Sequence, residues 1–243
     1  LLVNELPEFE FWPGVTLRHL MNHTSGIPDF YEKDYYKDYP ADGPMVQNSD
    51  ILEFMSLYPE ADFAPGEQYV YNNTAYDIFV TVVERASGML FADFMRERVF
   101  TPSNMPTATT FSSAKPDIPN RVFGYRKSDD GYEDFDYDPF NTVLGSGSVY
   151  ATLEDFVAWD KSLYDNSVVS EKTMQQAYTS AQLNNGKATG YGFGWNIGAF
   201  RGHKAYSHTG GWVGFSNIIT RFPDEKLTIV ILANGGGARP SAA

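Results

Sequence analysis

At 243 residues, with 42% apolar and 20% charged residues, the chain can bury a substantial core and has an ordinary globular composition. Its 18 Phe, 16 Tyr and 4 Trp argue against disorder, and its net charge of −13, with twelve acids against three bases in residues 1–64, opposes nucleic acid and anionic membrane as partners. With no cysteine, disulfides, zinc–thiolate sites and a cysteine nucleophile are excluded.

In chain order, Leu1-Leu2-Val3 has neither the basic start nor the apolar core of a signal peptide, so the chain reads as a fragment or a processed form. The lack of cysteine fits a bacterial protein exported to the periplasm or the medium. Thr16 stands where a helix N-cap belongs, ahead of Leu17, Leu20 and Met21, and that helix should stop within Asn22-His23-Thr24-Ser25-Gly26. The polar, tyrosine-rich stretch 29–47 contains Pro40 and Pro44 and reads as a long surface loop. Asp50 with Glu53 patterns as a capping box for a helix through Leu57. After a Pro65-Gly66 turn, Tyr76, Phe79, Val80, Val83 and Ala86 recur at helical spacing, with Gly88 placed to end the helix. A second amphipathic helix is expected over 91–99, before Pro102. The stretch 102–138 shows little periodicity and reads as loop with one hairpin.

Thr152 and Asp155 form another capping box, before a helix carrying Phe156, Trp159 and Leu163, and Ser170 caps a further short helix. The character then changes to strands: 193–199 and 204–208 joined through Gly202, then 215–222 and 227–233 joined by Pro223-Asp224-Glu225-Lys226. The last two are near-continuous apolar runs, which suggests strands covered on both faces, and 227–233 is far too short to span a bilayer. Helices first and an antiparallel sheet afterwards define an α+β chain, mainly helical over about 14–190 and stranded over about 191–234.

Several groups of residues have chemical potential. His19 and His23 are spaced i, i+4, but Leu20 stands where a metalloprotease motif needs glutamate, so no metal site is assigned and structural hydrogen bonding is the better reading. Gly145-Ser146-Gly147 and Gly190-Tyr191-Gly192-Phe193-Gly194 lack the strand–loop–helix context and the Lys-Ser or Lys-Thr of a phosphate loop, and no cofactor is assigned. His208-Thr209-Gly210-Gly211 ends a predicted strand. Small residues there let a substrate backbone lie along the edge, the Gly211 N–H can act as an oxyanion donor, and His208 adds a polar group that can carry charge. Tyr71 and Asn73 lie just before a helix. A phenol needs a cationic neighbour or a shared proton to act as a base near neutral pH, and the Asn73 amide can orient a substrate carbonyl or hold a catalytic lysine. Each of these patterns is weak by itself.

Together they are specific. Thr16-Leu17-Arg18-His19-Leu20-Met21-Asn22-His23-Thr24-Ser25-Gly26-Ile27-Pro28 closely resembles a signature of the serine beta-lactamase-like family. That family comprises class C beta-lactamases, DD-peptidases (penicillin-binding proteins), D-amino-acid-specific peptidases and related esterases. In the same order, Pro65-Gly66 through Tyr71-Asn72-Asn73 resembles its Tyr-x-Asn motif, and 144–156 resembles its glycine loop and following helix. Tyr191-Gly192-Phe193-Gly194-Trp195 and His208-Thr209-Gly210-Gly211 complete the set. The resemblance runs from about Leu6 to Asn234.

The resemblance implies an antiparallel sheet flanked by helices, a second mainly helical region with the active site between them, and acyl transfer through a serine ester on a small-molecule or peptide substrate. It implies Tyr71 as proton-transfer partner, Asn73 as orienting amide, His208-Thr209-Gly210 as the substrate-binding third motif and Gly211 as oxyanion donor. Histidine at 208 leans away from a dedicated beta-lactamase. The family's Ser-x-x-Lys precedes the Thr16 stretch, so the nucleophile is expected upstream of Leu1, the family's C-terminal helix is missing too, and the chain alone is expected to be inactive. The one Ser-x-x-Lys present, Ser112-Ser113-Ala114-Lys115, runs into Pro116, which disfavours helical geometry at Lys115, and it is rejected as the nucleophile motif. A competing reading is a non-catalytic binding homologue on the same scaffold. A further expectation is that the acidic 29–47 stretch grips sugar or peptide at the cleft rim. Neither the acyl substrate nor the oligomeric state is legible.

Overall fold

A computed structural model describes residues 1–110 and 117–238. The N-terminal half is helical: α1 (Leu2–Glu5), a 3-10 turn over Pro7–Phe9, α2 (Leu17–Met21), α3 (Asp34–Lys37), α4 (Asn48–Met55), α5 (Asn73–Ser87) and α6 (Phe91–Phe94), which runs on as a π-helical turn over Met95–Phe100. The Thr16 hydroxyl accepts from the His19 N–H at 3.1 Å while His19 Nδ1 accepts from the Thr16 N–H at 3.3 Å, so the predicted cap starts α2 and occupies His19. Gly88 takes φ +69 after α5, as a C-terminal glycine should.

The middle of the chain holds β1 (Thr109–Thr110), β2 (Tyr125–Ser128) and β3 (Gly131–Asp134) as the expected hairpin, β4 (Val149–Tyr150) on β1, then α7 (Leu153–Asp165) and α8 (Glu171–Ala177) behind their Thr152 and Ser170 caps. The four-stranded antiparallel sheet follows in sequence order: β5 (Asn196–Phe200), β6 (His203–Trp212), β7 (Phe215–Phe222) and β8 (Leu227–Ala233). A last short strand, β9 (Gly235–Gly236), pairs in parallel with β2. The α+β class and its helix-then-sheet order are as expected.

One apolar core fills the helical part: Leu2, Leu6, Phe9 and Trp12 from the N-terminal turns meet Leu20, Ile51, Met55 and Ile78. The sheet is fastened to α7 and α8 by polar contacts around Arg221, which is 1% exposed. Its Nε donates to Asp160 on α7 at 2.6 Å, and the same carboxylate accepts from the Thr228 hydroxyl of β8 at 2.7 Å.

Four expectations need correction. The 29–47 stretch lies at the surface but is not all loop: it forms a 3-10 turn (Phe30–Glu32) and α3, and Phe30 is fully buried against Phe54 and Phe140. Burying that ring outweighs the polar character of its neighbours. In α4 the capping box is Gln47 with Asp50, so Asp50 is the third helical residue, and the helix ends at Met55. Strand β6 continues through His208-Thr209-Gly210-Gly211 to Trp212, because β7 pairs with it along that whole length. Finally, β8 is not covered on both faces, since Leu227, Ile229 and Leu232 are exposed among the described residues.

Candidate active site

Residues 23–27 form a rail against which 62–72 is laid. The Gly26 carbonyl accepts from the Asp62 N–H and the Thr24 carbonyl from the Gly66 N–H, both at 2.8 Å. The His23 carbonyl accepts from the Val70 N–H at 3.0 Å, His23 Nδ1 accepts from the Asn72 N–H at 3.2 Å, and the Asn72 side chain donates to the Ile27 carbonyl at 2.8 Å. Gly26 is required by this closeness, because a Cβ there would sit 2.0 Å from the Phe63 carbonyl oxygen. The first signature stretch is therefore the support of the second.

The rail sorts Tyr71, Asn72 and Asn73 into different tasks. Asn72 is buried and caps α5, its Oδ1 accepting from the Ala75 N–H at 2.8 Å. Asn73 gives its backbone N–H to Asp29 Oδ2 at 3.0 Å, while its side-chain amide makes no hydrogen bond among the described residues. Tyr71 is 44% exposed, its ring lies 4.2 Å from that of His23, and its hydroxyl is likewise without a partner among the described residues. Burial, reinforced by Tyr69 and the carboxylates of Asp29 and Asp77, pushes the Tyr71 phenol above its ordinary range, so it is neutral at pH 7.

Across from Tyr71 stands β6, with the His208 ring 6.0 Å away. β5 pairs with β6 only as far as Asn196 opposite Ser207, whereas β7 pairs out to Phe215 opposite Trp212. Antiparallel strands direct alternate residues' backbone groups to opposite neighbours. Counting from the Phe200–His203 and Trp212–Phe215 hairpin pairs, Thr209 and Gly211 turn theirs toward the side that β5 has vacated. A Cβ on Gly211 would meet open space apart from the Phe215 carbonyl at 3.8 Å, whereas one on Gly210 would strike Asn217 Oδ1 at 2.5 Å. His208 Nε2 lies 3.0 Å from the Tyr191 hydroxyl, and burial holds its pKa below the ordinary histidine range, so the imidazole is neutral at pH 7 rather than a charged group.

The expected residues thus fall on two facing walls: Tyr71 and Asn73 on one, His208 to Gly211 on the other. Sequence reasoning missed the partners of each. Asp29 caps Asn73, Tyr191 holds His208, and His23 carries Tyr71. Tyr191 and His23 lie inside stretches already singled out, but nothing in their spacing announced these contacts. The Gly145 loop backs the site from behind: its Cβ would sit 2.3 Å from the Tyr76 carbonyl oxygen, and the Ser146 N–H donates to Asp77 at 3.0 Å. Ser112-Ser113-Ala114-Lys115 lies outside the described residues. Among the described residues no cluster of three His, Asp or Glu suits a metal ion, and no helix is long and apolar enough to cross a membrane. Cavities of about 450 Å³ beside α7 and about 830 Å³ beside Arg121 lie away from these two walls.

Helices followed by a four-stranded antiparallel sheet give the chain the fold of the beta-lactamase and penicillin-binding-protein class. The chain belongs to the Beta-lactamase family, whose sequence model matches residues 6–243. It is 32% identical over 242 residues to penicillin-binding protein 4* of Bacillus subtilis (strain 168), a match covering 94% of this chain and 53% of that protein. It is 28% identical to a D-aminopeptidase of Cereibacter sphaeroides, with 98% of this chain and 45% of that protein covered. The chain therefore spans about half the length of these relatives. The crystal structure of a penicillin-binding protein from Bacillus halodurans has the same fold, with a TM-score of 0.79 at 24% identity, covering 97% of this chain and 76% of that one.

Proposed function

We propose that this chain forms two walls of the acyl-transfer site of a serine hydrolase that cleaves an amide or ester through an acyl-enzyme. The observation that carries this reading is the pairing of an exposed, unpartnered Tyr71 hydroxyl with an open β6 edge. The free Asn73 amide stands beside the former and the Gly211 N–H faces out from the latter. A substrate backbone laid along Thr209–Gly211 has its carbonyl oxygen beside the Gly211 N–H, which stabilises negative charge as it develops. Asn73 orients the substrate amide. His208, neutral and held by Tyr191, shapes the edge and does not supply a charge.

Tyr71 needs a cation beside it to accept a proton near neutral pH, because its present neighbours raise its pKa. In this reading the cation is the lysine of a Ser-x-x-Lys segment preceding Leu1 in the whole protein, and its serine is the nucleophile. The name of the D-aminopeptidase relatives favours an amide beside a D-residue. The active site lies between the helical region, about 14–190, and the strands, about 191–234, in a bacterial protein working outside the cytoplasm.

The test is a panel of nitrocefin, p-nitrophenyl esters and D-Ala peptides on the full-length protein, with a fluorescent penicillin or phosphonate as covalent label. Turnover and labelling are expected, and Tyr71→Phe should lower kcat/KM by roughly 10²- to 10⁴-fold with the fold intact. Saturable ligand binding with no covalent adduct would overturn the proposal in favour of a binding protein.

A further inference from the structure

One residue grips Tyr71 on three sides. His23 takes φ +57, a left-handed backbone conformation that favours glycine or asparagine. That turn aims both its carbonyl and its side chain at the segment carrying Tyr71. The carbonyl accepts from the Val70 N–H at 3.0 Å, and Nδ1 accepts from the Asn72 N–H at 3.2 Å. In extended backbone the N–H groups of residues i−1 and i+1 point the same way, so one residue can accept both and tie the chain down on either side of residue i. Between the two bonds the Tyr71 ring leans on the imidazole, centroids 4.2 Å apart and planes 40° to each other.

The hydrogen bond also fixes the tautomer. An amide only donates, so Nδ1 is the bare nitrogen and the ring proton sits on Nε2. Nε2 has no hydrogen-bond partner among the described residues, the side chain is 1% exposed, and the rings of Tyr191, Tyr76 and Tyr69 surround it at 4.7, 5.2 and 6.3 Å. A residue selected for the turn would be glycine or asparagine, and one selected for packing would need no acceptor. His23 supplies the turn, the acceptor and the ring surface together.

We propose that His23 is the positioning residue of the site: it sets the backbone and ring orientation of Tyr71 and acts on the substrate only through it. This rests on the reading of Tyr71 as the proton-transfer group. The test compares two polar replacements in the full-length protein. His23→Asn keeps an acceptor near the Nδ1 position and tolerates the left-handed backbone, whereas His23→Gln moves its amide toward the Nε2 position and leaves the Asn72 N–H unpaired. His23→Asn should retain kcat within about tenfold, while His23→Gln should lower kcat by about 30-fold or more with KM changed little, as a displaced reacting group does. Amide hydrogen exchange at Asn72 should accelerate in His23→Gln and not in His23→Asn, and this readout does not require turnover. Equal kcat in the two variants, or exchange at Asn72 that is the same in both, overturns the role of His23. A wild-type protein that neither turns over nor takes a covalent label overturns the reading of Tyr71 instead, and the exchange comparison still decides whether His23 holds the segment.

Discussion

The two walls of the site are built in opposite ways. On the Tyr71 wall the backbone is tied at short intervals to residues 23–27 by hydrogen bonds within a buried setting, and the groups left without hydrogen-bond partners among the described residues include the Tyr71 hydroxyl and the Asn73 amide. On the β6 wall the strand is tied on one side only, so Thr209 and Gly211 turn backbone groups outward. A rigid wall suits a group whose position must be fixed before reaction, and an open edge suits one that must receive a ligand as an added strand. Damage to the ties of the first wall should therefore appear as lost stability, and damage to the open edge of the second as lost binding.

The largest expected effect is of pH. Burial, helped by His208, lowers the His23 pKa from the ordinary 6.5 to about 4. The folded protein thus binds fewer protons than the unfolded chain between those values. The stability conferred by neutral His23 is whole above pH 6.5 and is lost as pH falls toward 4, by roughly 3 kcal/mol. Burial lowers His208 as well and adds in the same direction. Urea denaturation at pH 7.5 and pH 4.5 measures the loss, and His23→Asn should flatten it. A wild-type stability that does not change across that interval contradicts a neutral, buried His23.

Adjacent asparagines sharpen the contrast. Asn72→Ala removes the α5 cap and leaves the Ile27 carbonyl without its donor, so it should cost roughly 2 kcal/mol in chemical denaturation. Asn73→Ala removes a side chain with no internal partner and should change stability by less than about 0.5 kcal/mol, while lowering kcat/KM of the full-length protein. Similar stability losses in both would mean that the Asn73 side chain is structural.

The smallest effect is on β6. Gly210→Ala places a Cβ against the Asn217 side chain and should destabilise by about 1 kcal/mol, whereas Gly211→Ala enters open space and should leave the melting temperature within about 1 °C. On the proposed reading Gly211→Ala should instead raise KM, since the new methyl stands on the edge assigned to the substrate. An unchanged KM would argue that ligands do not use that edge.

How much of this was readable beforehand follows from the range of each interaction. The helix starts at Thr16, Thr152 and Ser170 and the stop at Gly88 were legible because a cap is a contact between residues three or four apart. The Gln47–Asp50 cap was missed because glutamine is a weak signal at that position. The burial of Phe30 was hidden because the Phe54 and Phe140 rings that receive it lie far along the chain, and local polarity suggested solvent. Likewise the end of β6 depends on β7 pairing past the point where β5 stops, which no pattern within β6 encodes.

The sequence by itself therefore determined the class of the chain, its order of helices and strands, and the motifs containing Tyr71, Asn73 and His208 to Gly211, since these depend on local spacing and residue chemistry. Only the tertiary structure decided that the Asn72 side chain holds the Ile27 carbonyl while that of Asn73 is free, that Tyr191 holds His208, and that His23 grips the backbone on both sides of Tyr71. Those assignments join residues 17 to 49 positions apart, and a hydrogen bond across such a separation exists only once the intervening chain has folded.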